Sequence, residues 1–194
     1  MRTVLVTGHS KGIGLATTRA LLDAGHLVIG VSRTSSNTHA NLIQHKVDLS
    51  DLEATSSLAK TLQNDHASAA TFAKLDAVVC NAGAGQFGAL ENFSASQIEH
   101  SIRLNLISPM VMLRSLIPII RPQARSDIIF IGSESAVHAG RYGSVYSAAK
   151  FGLRGAAQAL RAECANANCH VGVVNPGMVR TDFFNELSFE PGDA

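Results

Sequence analysis

A three-layer α/β fold on a doubly wound parallel sheet is predicted by two regularities of this chain and by the position of one glycine cluster. Short apolar runs rich in β-branched residues alternate with longer helix-compatible stretches, the mark of successive βαβ units. Each run is almost continuously apolar, as expected for strands covered on both faces. The glycines at positions 8, 12 and 14 come directly after the first run and before an apolar helical pattern, a strand–turn–helix context.

Six strands are expected, at residues 3–7, 27–32, 43–47, 77–80, 127–131 and 171–174. Between them lie helices expected at 13–24, 51–72, 96–117 and 145–166. Ser50 is expected to cap the second helix, with Glu53 placed to complete a capping box. Pro118 and Pro122 stand where the third helix is expected to stop, because proline lacks the amide donor a helix needs. No linker, repeat or low-complexity tract divides the chain, so residues 1–194 are expected to form one domain. The stretch from 183 onward carries little periodicity and is expected to be loop, without a seventh strand.

Composition narrows the function classes. With 46% hydrophobic and 16% charged residues, the 194-residue chain has the make-up of a globular protein. At that size roughly 70% of the unfolded surface can be buried, so neither disulfides nor a structural metal is required. Sixteen basic against fifteen acidic residues leave a net charge of +1, which argues against nucleic acid or an anionic membrane as partner. Cys80, Cys164 and Cys169 form an odd set without CxxC spacing and are expected to be reduced thiols. The chain runs from Met1 straight into a strand pattern with no signal-peptide features, and a cytoplasmic location is expected. The apolar stretch 104–120 is interrupted by Asn105, Ser108, Pro109, Arg114 and Ser115 and is expected to fall short of a membrane span. Eight scattered histidines lack HxxxH or HExxH spacing. They are expected at the surface without a metal, with His9 at a free position of the glycine loop and His138 within reach of a substrate.

Gly8, Ser10, Lys11, Gly12, Ile13 and Gly14 form a GxxxGxG loop. Glycines there allow a tight turn and close approach of a pyrophosphate, whose charge is met by free amides and the positive end of the helix dipole. The spacing is neither GxGxxG nor a phosphate-binding Walker loop. An NAD site usually has an acid about 20 positions beyond the glycines to hold the ribose hydroxyls. No Asp or Glu occurs between Asp23 and Asp48. Arg33 stands at the end of the second strand instead, and Lys11 lies in the loop, so a 2′-phosphate and hence NADP is favoured over NAD.

Tyr146 and Lys150 are spaced i, i+4 in a helix-compatible run, which puts phenol and ammonium on one face. The ammonium is expected to pull the phenol's acidity toward neutral pH, where the pair could trade protons.

Several motifs occur together and in order: TGHSKGIG at 7–14, Asn81-Ala82-Gly83 after the fourth strand, Asn105, Ser133, Tyr146 with Lys150, and Asn175-Pro176-Gly177 with Thr181. On these the chain resembles the short-chain dehydrogenases/reductases, in the branch with TGxxxGxG and YxxxK, which have a Rossmann fold. The resemblance implies hydride transfer between nicotinamide and a carbonyl or alcohol substrate. It implies that Tyr146 acts as general acid/base, Ser133 hydrogen-bonds the substrate oxygen, Lys150 tunes the tyrosine and holds the ribose, and Asn105 anchors a relay water. It further implies that Asp48 and Leu49 border the adenine, residues 81–83 the adenosine side, and Pro176, Gly177, Val179 and Thr181 the nicotinamide. Substrate walls would come from residues 84–87 and 136–141 with Met178, Phe183 and Phe184. A homo-dimer or homo-tetramer through the third and fourth helices is implied as well. Two alternatives stand beside the enzyme: a non-catalytic dinucleotide-binding regulator, and a C-terminally shortened remnant.

Overall fold

The computed structural model describes residues 1–36, 38–68, 74–181 and 183. Six parallel strands form one sheet in the order β3-β2-β1-β4-β5-β6. They are β1 (Thr3–Thr7), β2 (Leu27–Ser32), β3 (Leu42–Lys46), β4 (Leu75–Cys80), β5 (Ser126–Ile131) and β6 (Cys169–Val174). The doubly wound sheet expected from the sequence is therefore present, and β4 to β6 begin one or two residues earlier than the apolar runs suggest. In β4 the extension has a visible cause: the Asp76 carboxylate accepts the Thr3 amide at 2.8 Å beside the Thr3–Leu75 pair.

Alternate residues of each strand serve opposite faces. Leu5, Ile29, Val78, Ile128 and Phe130 enter the larger core with side chains of three helices: α2 (Leu52–Ser68), α4 (Ser108–Ile120) and α5 (Ser144–Glu163). Val4, Val6, Val28, Ala77 and Val79 enter a smaller core with Leu22 of α1 (Gly12–Asp23). All five β1 side chains are buried, which is why its sequence shows no alternation.

Four expectations are corrected. The cap of α2 is Asp51, whose carboxylate accepts from the Glu53 and Ala54 amides at 3.0 Å; Ser50 instead gives its amide and hydroxyl to Asp48. The third helix is not uniform. It runs as α3 (Ala95–Ile102), opened by a Ser94–Gln97 capping box, then a wide π turn at Arg103–Ile107, then α4. It also continues through Pro118 to Ile120, because a missing amide in the last turn frees only one carbonyl, while the Arg121 amide still reaches Ile117 and the Gln123 side chain reaches Ile119. The continuous helical stretch Ala95–Ile120 has the length and apolarity of a membrane span, contrary to the expectation from its polar interruptions. Met112, Leu113, Leu116 and Ile120 are nevertheless seated in the core. Part of the expected second helix, residues 69–72, lies outside the described residues.

Candidate active site

The order of the strands places β1 beside β4, where the chain reverses its direction of winding, and loops leaving the two strands diverge to open a crevice. A cleft of about 560 Å³ lies there.

The glycine loop forms one end. Gly8 and Gly12 adopt φ of 69° and 52°, which side chains rarely tolerate. A Cβ on Gly14 would collide with the Gly8 carbonyl and the Asn81 amide. The loop is tied to the end of β4: Thr7 Oγ1 accepts the Asn81 and Ala82 amides at 2.9 and 3.0 Å, and Asn81 Nδ2 donates to the Thr7 carbonyl at 2.9 Å. No side chain caps the start of α1, where Gly12 and Ile13 line the cleft. A bare backbone with free amides and no Cβ in the way suits a pyrophosphate.

Lys11 and Arg33 are exposed and line the same end, together with Ser10, Thr34, Asp48 and Leu49. The Ser50 hydroxyl bond holds Asp48 below the usual carboxylate range, with partial burial opposing and the Ser50 amide, Arg33 and His100 adding to the effect. The described residues at the end of β2 offer the Arg33 guanidinium and no acid.

At the other end β5 delivers Ser133 and α5 delivers Tyr146 and Lys150. The Ser133 amide donates to Asn175 Oδ1 at 3.2 Å, and Gly132 pairs with Val174, so β6 sets the height of the serine. Ser133 and the Tyr146 phenol line the same end of the cleft, and the Ser133 side chain lowers the phenol's pKa. Lys150 Nζ donates to the Ile131 carbonyl at 2.9 Å and sits 5.6 Å from the Tyr146 ring centroid. Burial lowers Lys150 to about 8, opposed by the neighbouring Cys80 thiol, which is itself pushed up to about 12 by burial. The tyrosine departs from expectation. Its pKa is raised, because burial outweighs the opposing effect of Ser133.

Two phenyl rings account for much of that burial. Phe87 and Phe183 approach Tyr146 with centroids at 5.2 and 5.9 Å. Gly85 makes room for them, since a Cβ there would lie 2.6 Å from each ring.

Asn105 stands in the π turn, fully buried. Its Nδ2 donates to the Ala84 and Ser101 carbonyls at 3.0 and 2.9 Å, and its Oδ1 accepts the Ala84 amide at 3.2 Å. It clamps the strand-end segment at Gly83, where a Cβ would lie 2.6 Å from Oδ1.

Every residue expected at the cofactor or the chemistry lines this cleft except Gly14 and Asn105, which act behind its wall. Pro176, Gly177, Val179 and Thr181 close it opposite the glycine loop, with Thr181 3.4 Å from where a Gly12 Cβ would be. Phe184 lies outside the described residues. Sequence reasoning missed His100 and Leu104, which line the cleft from α3 and the π turn, and Glu134, whose carboxylate abuts Gly177. It also placed His9 wrongly. His9 is completely buried, with both ring nitrogens engaged. The available signal was Gly30, a glycine inside a buried strand, which marks a close approach by something else.

Sheet order and cleft position together define the class, a Rossmann-type dinucleotide-binding fold. The chain belongs to the short chain dehydrogenase family, whose model matches residues 2–191. It is 29% identical over 180 residues to a 3-ketodihydrosphingosine reductase of Bacteroides thetaiotaomicron, covering 93% of this chain and 65% of that protein. A solved short chain dehydrogenase family protein from Francisella tularensis superposes with a TM-score of 0.86 at 26% identity, covering 95% of this chain and 72% of that one. An alcohol dehydrogenase from Thermococcus sibiricus, complexed with 5-hydroxy-NADP, shares the fold at TM-score 0.82 and 23% identity, covering 98% and 82%.

Proposed function

We propose that this chain is an NADP(H)-dependent oxidoreductase acting on a carbonyl or alcohol group of a small molecule. One observation carries the proposal: Ser133, Tyr146 and Lys150 meet at one end of a cleft whose other end joins the glycine loop to Lys11 and Arg33. When bound, the nicotinamide supplies or accepts the hydride. The protein's part is orientation and proton traffic. The free amides at the start of α1 hold the pyrophosphate, while Arg33 and Lys11 hold the 2′-phosphate. Lys150 Nζ holds the nicotinamide ribose, and Val179 with Thr181 fixes the carboxamide side. Ser133 Oγ donates to the substrate oxygen as negative charge grows there, a preorganised electrostatic contribution. Tyr146 Oη gives its proton to that oxygen in reduction and takes it back in oxidation. A positive charge beside the ring favours the phenolate and so opposes the rise in the Tyr146 pKa that burial causes. The phenyl rings of Phe87 and Phe183 keep water from the phenol.

All three cysteines are free, which accords with a reducing, cytoplasmic setting. One domain acting as a homo-dimer or homo-tetramer completes the proposal.

The test is a panel of aldehydes and ketones followed by NADPH absorbance, with Tyr146→Phe alongside. The parent is expected to turn over at least one carbonyl. The variant is expected to bind NADPH unchanged and lose turnover by a factor of at least about 10², the range of general acid–base catalysis. Turnover retained in Tyr146→Phe overturns the mechanism.

A further inference from the structure

His9 takes no part in the chemistry proposed above, yet it is a completely buried imidazole inside the glycine loop. Its ring lies against β2 at Gly30, where a Cβ would stand 2.5 Å from Cγ and Cδ2. Only glycine leaves that space. Both nitrogens are committed. Nε2 lies 2.9 Å from Gln44 Oε1 in β3, and the same oxygen accepts the Ser36 amide at 2.7 Å, which identifies it as the carbonyl oxygen and His9 Nε2 as a donor. Nδ1, the acceptor nitrogen, lies 3.0 Å from the Ser32 hydroxyl, whose single proton is shared between Nδ1 and the Thr34 carbonyl at 2.5 Å. Ser10 of the glycine loop meets Thr34 Oγ1 at 3.0 Å from the other side.

These bonds all converge on one short segment. The backbone that carries Arg33 is pinned at Thr34, through Ser32 and Ser10, and at Ser36, through Gln44. His9 is the link between the two routes. Arg33 itself is exposed, and its guanidinium is close enough to Asp48 to help lower that carboxylate's pKa. An exposed guanidinium on an untethered loop end would sample many directions and lose binding free energy when ordered around a phosphate. A pinned backbone removes part of that cost.

We infer that His9 is a positioning residue for cofactor selectivity: it bolts the Arg33 segment to the glycine loop, so that the sites for pyrophosphate and 2′-phosphate form as one rigid unit. The inference rests on the NADP reading above. It assigns His9 no contact with the cofactor, since neither His9 nor Gln44 lines the cleft.

Direct binding of NADPH and NADH to the full chain, by fluorescence titration, tests it in two stages. In the parent, NADPH is expected to bind more tightly than NADH; equal affinities overturn the NADP reading and this inference with it. The variants His9→Ala and Gln44→Ala then isolate the bolt. Each is expected to weaken NADPH by about tenfold while NADH stays within about twofold, which is the arithmetic of losing about 1.4 kcal/mol from one phosphate's contacts alone. A parent that prefers NADPH, with variants that lose both cofactors in equal proportion or lose neither, overturns the role of His9 and leaves the NADP reading standing. Should His9→Ala not fold, Gln44→Ala cuts the Nε2 route by itself, and its NADH affinity reports that the fold is intact.

Discussion

Lys150 puts an ammonium in a place where burial disfavours its charge, and the consequence is measurable as stability. Its pKa in the folded chain is about 8, below the ordinary 10.5. Below pH 8 both folded and unfolded chains carry the proton, so the burial penalty is paid in full. Above 8 the folded state releases it first, the unfolded state binds more protons, and stability rises with pH until about 10.5. Cys80 works in the opposite sense, since its thiol is raised from 9.0 to about 12 and stability is lost as pH climbs from 9. Cys164, raised by burial to about 11, acts in the same sense as Cys80. The Lys150 contribution is therefore read as a difference: between pH 8 and 9 urea denaturation is expected to show the cofactor-free parent gaining about 1 kcal/mol relative to Lys150→Met, the thiol losses being common to both. The pair Tyr146 and Lys150 was legible in the sequence because the i, i+4 spacing dictates a shared face. Its electrostatics were not, because the raised tyrosine depends on Phe87 and Phe183, which come from two distant segments.

The π turn between α3 and α4 shows what periodicity hides at the scale of an element. Apolar residues continue through 103–107, so the sequence reads as one helix, while the extra residue in the turn lets Asn105 face inward and clamp Ala84. Such turns gather at functional sites, and here the benefit is a rigid strand end beside Lys150. Asn105→Ala removes the partners of a buried amide and carbonyl and is expected to lower stability by about 1–3 kcal/mol in a denaturant titration. Asn105→Asp keeps the acceptor for the Ala84 amide but turns the donor side into an acceptor facing two carbonyls, and is expected to be no better. β1 and β2, by contrast, were readable to the residue, because burial on both faces writes a continuous apolar run. The cap of α2 was misplaced by one residue, since Ser50 and Asp51 are both good caps and only the third dimension shows Ser50 engaged with Asp48.

For the whole molecule, α4 and α5 turn apolar side chains outward as well as inward. Met110 is 50% exposed and Phe151 42% exposed, on the helices through which self-association is proposed. Sedimentation velocity is expected to show a dimer or larger species for the parent and a monomer for Phe151→Glu. A monomeric parent contradicts the proposed assembly. The cleft, meanwhile, joins positions far apart in the chain: Gly12 meets Thr181, and Ser133 takes its place only once β6 has paired with β5. During synthesis on a ribosome the glycine loop emerges well before Thr181, which stands against it in the folded chain. Until that segment has followed, the loop exists without its opposite wall. A nascent chain can therefore complete the proposed dinucleotide site only after residues 176–181 have appeared.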